Sequence, residues 1–104
     1  MRKVRLASVA MTPLIFAAAA AAQPAQSDAI RYLAANCANC HGTLGQSSGA
    51  MPSLAGLQTP YFVEQMRLFR EGKRQATIMH QIAKGYSDPQ IEQLAEYYAR
   101  QTAK

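Results

Sequence analysis

Cys37-Ala38-Asn39-Cys40-His41 sets two thiols three residues apart, with an imidazole immediately after the second. Residues three apart lie on one face of a helical turn, so both sulfurs are presented to the same side and His41 stands beside them. This is the CxxCH arrangement of covalent haem attachment, in which the thiols form thioethers to the two vinyl groups and the histidine is the proximal iron ligand. Three other chemistries share parts of it. A structural disulfide and a dithiol redox pair both use CxxC, but neither gives His41 a role. A thioredoxin-like site also expects a βαβ setting, whereas here a helical pattern leads in and a glycine-rich stretch leads out. A zinc site needs two further ligands, and His80 is the one strong candidate.

On the N-terminal side of the motif, Ile30, Leu33, Ala34 and Cys37 fall at helical spacing, so an apolar face delivers Cys37 to the buried side. Ser27 or Asp28 can cap this helix, which is expected to run to about Ala38. After the motif, residues 42–56 contain four glycines and Pro52 and predict an irregular loop. Thr59 as N-cap and Pro60 as first helical residue open a second helix with the stripe Phe62, Met66 and Phe69, stopped by Gly72. A weaker helical piece covers about 75–84, closed by Gly85 in the left-handed region. The last helix starts at a Ser87/Gln90 capping box with Pro89 in its first turn, buries Ile91, Leu94, Ala95 and Tyr98, and ends near Thr102. Four helical segments with no strand pattern and no repeat predict one small all-α domain. Tyr32, Tyr86, Tyr97 and Tyr98 are explained by helix packing, with either Tyr97 or Tyr98 laid across the first helix.

The N-terminus has a different character. Arg2, Lys3 and Arg5 precede the uncharged, alanine-rich stretch 6–22, which ends in Ala20-Ala21-Ala22. That is the pattern of a cleaved export signal, too short and too rich in alanine for a spanning helix. Cleavage after Ala22 divides the chain into a signal peptide (1–22), a polar lead (23–26) and a domain (27–104), placed in the periplasm. The net charge of +5 then falls to +2, with eight basic against six acidic residues. So small an excess, with no basic run longer than Lys73-Arg74, reads as solvated surface and excludes nucleic acid as the expected partner. An 82-residue domain has a marginal core of its own, and two cysteines three apart cannot supply a disulfide framework. A bound group completing the core is the better expectation.

Six-coordinate haem iron needs a second axial ligand, and Met51, Met66, Met79 and His80 are the donors to weigh. Met66 belongs to an apolar stripe and reads as core. Met51, ten residues after His41, is too close to the proximal side. Met79 is far enough along the chain to reach the other face and is preferred, with His80 the alternative giving bis-histidine ligation. A filled sixth position favours electron exchange over bond-making chemistry, so an electron-transfer protein and not an enzyme is expected.

The segments Cys37–Gly42, Met51-Pro52-Ser53-Leu54-Ala55-Gly56, Phe69–Arg74, Ala76–Met79 and Ile82–Asp88 together resemble the class I cytochromes c, and within them the haem subunit of flavocytochrome c sulfide dehydrogenase. The resemblance implies Cys37, Cys40 and His41 as haem-binding residues and Met79 as distal ligand. It also implies that the carbonyl of Pro52 holds the proximal histidine's N–H, a bond that fixes the tautomer and tunes ligand basicity. It implies one covalent haem c on this chain, and FAD only on a partner flavoprotein that oxidises sulfide and passes electrons through the cytochrome to a soluble carrier. The alternative is a free-standing cytochrome that shuttles electrons between periplasmic complexes. A docking face around the exposed haem edge would then include Met51, Ala50 or Tyr61, unless these simply line the pocket.

Overall fold

The computed structural model describes Ala10 and residues 26–103. The expected signal peptide and lead lie outside the described residues, apart from Ala10 and Gln26. Four α-helices follow in order: α1 Gln26–His41, α2 Thr59–Arg70, α3 Met79–Ile82 and α4 Asp88–Ala99, with short 3-10 turns at Thr43–Gly45 and Ala83–Gly85. The described residues contain no strand, and none of their helices is long and apolar enough to cross a membrane. The fold is all-α, as the sequence predicts.

α1 differs from its expected end in a way that matters for the site. It continues three residues past Ala38, so Cys37, Cys40 and His41 all lie on one helix before the chain turns at Gly42. Ala34 is buried on its inner face, with Ile30, Leu33 and Cys37 packed beside it. Tyr32, by contrast, is 79% exposed, which corrects its reading as a packing residue: it sits off the Ile30/Leu33/Ala34/Cys37 face.

α2 begins at Thr59, one residue earlier than predicted, with Gln58 in place of Thr59 as N-cap and Pro60 still inside the first turn. It ends as predicted at Gly72, whose φ of +70° allows the N–H of Lys73 to reach back to the carbonyl of Leu68 at 2.9 Å. α3 is shorter than the predicted 75–84 segment, and Gly85 is not in the left-handed region; a 3-10 turn ends the piece instead. α4 carries the predicted capping box, with Ser87 N–H donating to Gln90 Oε1 (2.9 Å) and Gln90 N–H to Ser87 Oγ (3.4 Å), and it stops at Ala99, short of Thr102.

The core is formed where α4 meets α1 and α2. Leu94, Ala95 and Ala83 are fully buried, and Phe62, Met66, Ile91 and Tyr98 nearly so. Each large apolar side chain removed from water contributes about 1.5–3 kcal/mol. Tyr98 is the residue that crosses to α1: it is 1% exposed, its hydroxyl donates to the carbonyl of Ala34 at 2.7 Å, and its ring stacks near Phe62 at 6.0 Å between centroids. Tyr97 meets it edge-on at 5.1 Å. Arg70 Nη2 reaches Asp88 Oδ1 at 2.6 Å, tying the end of α2 to the start of α4, where a carboxylate also complements the helix dipole.

The loop 42–58 is irregular but firmly tied. Gly45, with φ +74°, accepts from the N–H groups of Leu54 (2.8 Å) and Ala55 (3.1 Å), and a Cβ there would lie 2.7 Å from the Tyr98 ring. Gly56 N–H donates to the Tyr98 carbonyl at 2.9 Å, and Gln46 Nε2 donates to the carbonyl of Thr102 at 2.6 Å. The loop is thereby bound to the C-terminal end of α4.

Candidate haem site

Only Tyr98 and Leu94 among the large side chains are fully buried, so the protein-only core is thin. Beside it lies an apolar cavity of about 460 Å³. Its walls come from the end of α1, the loop at 51–54, the inner face of α2, and the segment 76–79 with Ile82 and Tyr86. Cys37, Cys40, His41, Pro52 and Met79 all line it, so the fold brings together every site residue expected from sequence.

His41 is the one buried polar or charged residue among those described, 6% exposed, and its Nδ1 lies 2.6 Å from the carbonyl oxygen of Pro52. A carbonyl can only accept, so Nδ1 carries the hydrogen and Nε2 keeps the lone pair. The histidine is therefore held in the tautomer a metal ligand needs. Pro52 sits in a loop pinned by Ser47 N–H donating to Ser53 Oγ at 2.9 Å.

Both thiols are unpaired; Cys40 is exposed and Cys37 half-buried. Burial pushes the Cys37 thiol up from its ordinary value, opposed by its hydrogen bond with the Tyr98 hydroxyl. Burial, followed by the neighbouring Cys37, also pushes that hydroxyl upward. Among the described residues no group of three or more His, Cys, Asp or Glu side chains converges to hold a metal, so a zinc site finds no support.

Of the four donors weighed for the second axial position, Met51, Met66 and Met79 line the cavity and His80 does not. Met66 is 6% exposed and packed into the core from the inner face of α2. Met51 is 38% exposed and belongs to the same loop that anchors His41 through Pro52. Met79 opens α3 and packs against the core from the opposite segment.

Sequence reasoning missed two features. Arg74, read as solvated surface, lines the cavity and lies over the Phe69 ring at 4.6 Å. Gly45 is the point where the loop passes under Tyr98, and nothing in the local sequence marked it apart from its neighbours. Met51 and Tyr61 both line the cavity and are exposed at its edge, whereas Ala50 is exposed without lining it.

The residues fit a covalently held haem: an apolar slot, two thiols on one wall, and a histidine fixed as a lone-pair donor. Comparison with known proteins agrees. The Cytochrome c family model matches residues 28–100. The chain is 36% identical over 88 residues to the cytochrome subunit of sulfide dehydrogenase from Chlorobaculum tepidum, covering 85% of this chain and 80% of that one. It is 37% identical over 98 residues to a thiosulfate dehydrogenase electron acceptor from Thiomonas intermedia, covering 92% of this chain but 43% of that one. A solved cytochrome c4 from Acidithiobacillus ferrooxidans superposes with a TM-score of 0.58 at 40% identity, over 61% of this chain and 37% of the other. With this cavity in this fold, the chain belongs to the cytochrome c family, as a class I c-type cytochrome that carries one covalent haem c and acts in electron transfer between redox partners, related to the sulfide-dehydrogenase and c4 cytochromes.

Proposed function

We propose that this protein is a diffusible electron shuttle of the periplasm, docking transiently through the mouth of its haem cavity. The observation that carries this reading is the composition of that mouth. Six large apolar side chains are exposed among the described residues, and four of them, Met51, Tyr61, Ile78 and Ile82, border the cavity. Such a patch offers the aromatic and Met contacts that interfaces favour, yet four side chains are few against the roughly 20–30 residues a side of a standard stable interface. The relatives support the same reading: one is named as a sulfide dehydrogenase subunit and another as a thiosulfate dehydrogenase electron acceptor, so related domains serve different donors. Location outside the cytoplasm is supported by the export-signal pattern of residues 1–22.

Within the site, Cys37 and Cys40 would hold the cofactor to α1 through thioether bonds. His41 offers Nε2 as the proximal ligand, oriented by the Pro52 carbonyl. Met79, lining the cavity from the start of α3, would be the second iron ligand. When bound, haem supplies a one-electron ferric/ferrous couple. The apolar wall excludes water, and a thioether ligand from Met79 would raise the potential relative to a bis-histidine centre.

A second reading has its own support. The match to the sulfide dehydrogenase subunit extends over 80% of that protein, which makes a stable complex with a sulfide-oxidising flavoprotein the competing assignment. Isolating the native protein under mild conditions and recording its spectrum before and after adding sulfide separates the two. The shuttle gives a lone haem spectrum inert to sulfide; flavin absorbance co-eluting with haem, and haem reduction by sulfide at enzymatic rates, would replace it with the subunit assignment.

A further inference from the structure

From Tyr32 to Val63 the chain contains no Asp, Glu, Lys or Arg, although Asp28 and Arg31 stand just before the run and charged residues resume at Glu64. Its one histidine, His41, is buried against the Pro52 carbonyl. The fold gathers this run on one side of the cavity mouth. Asn36, Cys40, Met51, Pro52, Ser53 and Tyr61 all belong to it, all line the cavity and are all exposed. Tyr32, 79% exposed, stands one and two turns before Asn36 and Cys40 on the same side of α1 and extends the surface. The far rim adds the exposed side chains of Ile78 and Ile82. Arg74 is the one Asp, Glu, Lys or Arg side chain lining the cavity among the described residues, and it is half-buried, held by Gln65 Oε1 and the Phe69 ring. The charges that begin at Glu64 largely cancel among themselves: Arg67 pairs with Glu64 and Glu71, Lys73 with Glu71, and Arg70 with Asp88.

We infer that this uncharged face selects its redox partner by chemistry: a protein whose own docking face is apolar and uncharged. The inference deepens the shuttle reading above and rests on it. A partner carrying carboxylates or ammonium groups at the contact would have to strip water from them against a surface that offers no opposite charge. An apolar partner face loses no such hydration, and covering Met51 and Tyr61 favours it. With no charge on the face, encounter is not steered over long range, so association is slow to respond to salt. A second copy of this chain presents the same face and meets the requirement itself, in the isologous manner of a two-fold contact. Electron exchange between a ferrous and a ferric copy therefore reads the face directly. Both sides are the same couple, so no driving force enters and any change of potential on substitution drops out.

Electron self-exchange of the purified holoprotein, measured by NMR line broadening in mixtures of the two oxidation states, tests this. The wild-type rate constant is expected to change by less than about twofold between about 0.01 M and about 1 M salt, a range over which the screening length falls from about 30 Å to about 3 Å. Met51→Glu and Tyr61→Glu each place like charges on both apposed faces and should slow exchange by about tenfold at low salt, with recovery as salt is added. Gln93→Glu adds the same charge at an exposed position of α4 outside the uncharged run, and should leave the rate within about twofold of wild type. A wild-type rate that moves by about tenfold or more with salt overturns the inference and assigns docking to a charged face, hence to a partner of opposite charge. Met51→Glu and Tyr61→Glu proteins that exchange at the wild-type rate overturn it too, as does a Gln93→Glu protein slowed as much as they are. The salt series needs no variant, so it decides the matter even where a substituted protein fails to accumulate. A protein with no covalent haem spectrum, or one with flavin co-eluting, would defeat the shuttle reading itself, a result distinct from any of these.

Discussion

Nδ1 of His41 and the carbonyl oxygen of Pro52 stand 2.6 Å apart across eleven residues of sequence, and this bond joins the end of α1 to the loop that forms one wall of the cavity. It orients the imidazole through a backbone acceptor, so the contact survives changes of the side chain at position 52. What proline adds is a fixed φ, which restricts the loop before the cofactor is in place.

Pro52→Ala is therefore expected to give a coloured protein with an ordinary haem spectrum but a stability lower by about 0.5–1 kcal/mol. The urea midpoint of the holoprotein measures this. An unchanged midpoint would mean that the rest of the loop, including the Ser47–Ser53 contact, already fixes the carbonyl.

Tyr98→Phe keeps the ring against Phe62 and Tyr97 and removes only the hydroxyl bond to Ala34. The Ala34 carbonyl retains its place in the α1 ladder, so the expected cost is about 1 kcal/mol. Thermal unfolding followed by circular dichroism measures it. A loss several times larger would show that the hydroxyl also organises the surroundings of Cys37.

Gly45→Ala combines a positive φ with a Cβ placed 2.7 Å from the Tyr98 ring and 2.9 Å from the Ala55 nitrogen. The expected destabilisation is about 2–5 kcal/mol, seen as a low yield of coloured protein. Gly49→Ala is the matched control, because nothing lies within 4 Å of the added carbon. Equal yields for the two variants would contradict the close packing of the loop on α4.

Met79→Ala should leave a haem protein of lower potential whose open position binds exogenous ligands, while His80→Gln should leave the potential unchanged. Ligand-induced spectral changes and redox titration read out both. If His80→Gln lowers the potential and Met79→Ala does not, the axial assignment passes to His80.

Acid stability carries the signature of the α2 ion pairs. The Arg67 side chain lowers the Glu64 carboxyl below its ordinary value of 4.5; hydrogen bonding from Lys73, then Arg67, does the same for Glu71. A carboxyl whose folded value is depressed contributes stability fully above the ordinary value and loses it as pH falls through the depressed one. Both sites are on the surface, so the effect is small and screened by salt. Arg67→Met should flatten the fall in stability below about pH 4.5, as measured by urea titration across pH; an unchanged slope would assign acid sensitivity elsewhere.

The sequence by itself determined the helical fold and the haem cofactor, and it pointed to Cys37, Cys40 and His41 as the residues to hold it. Those signals are local: CxxCH needs only spacing along one turn, the Ser87/Gln90 box closes within four residues, and the stripe of α4 shows at period 3.6. Element ends were less legible. Nothing in Asn39, Cys40 or His41 announces that α1 continues to His41, and the 75–84 segment shortens to α3, with Ala76, Thr77 and Ile78 lining the cavity as irregular chain. The tertiary structure alone decided between Tyr97 and Tyr98, since both lie near the same face of α4 and only Tyr98 reaches the Ala34 carbonyl. It alone placed His80 off the cavity, brought Arg74 out of an apparently solvated Lys-Arg pair, and set Gly45 beneath an aromatic ring. In each case the physical reason is the same. Periodicity fixes which side of a helix is apolar, but contacts between residues dozens of positions apart depend on how the helices cross and how the loop between them closes.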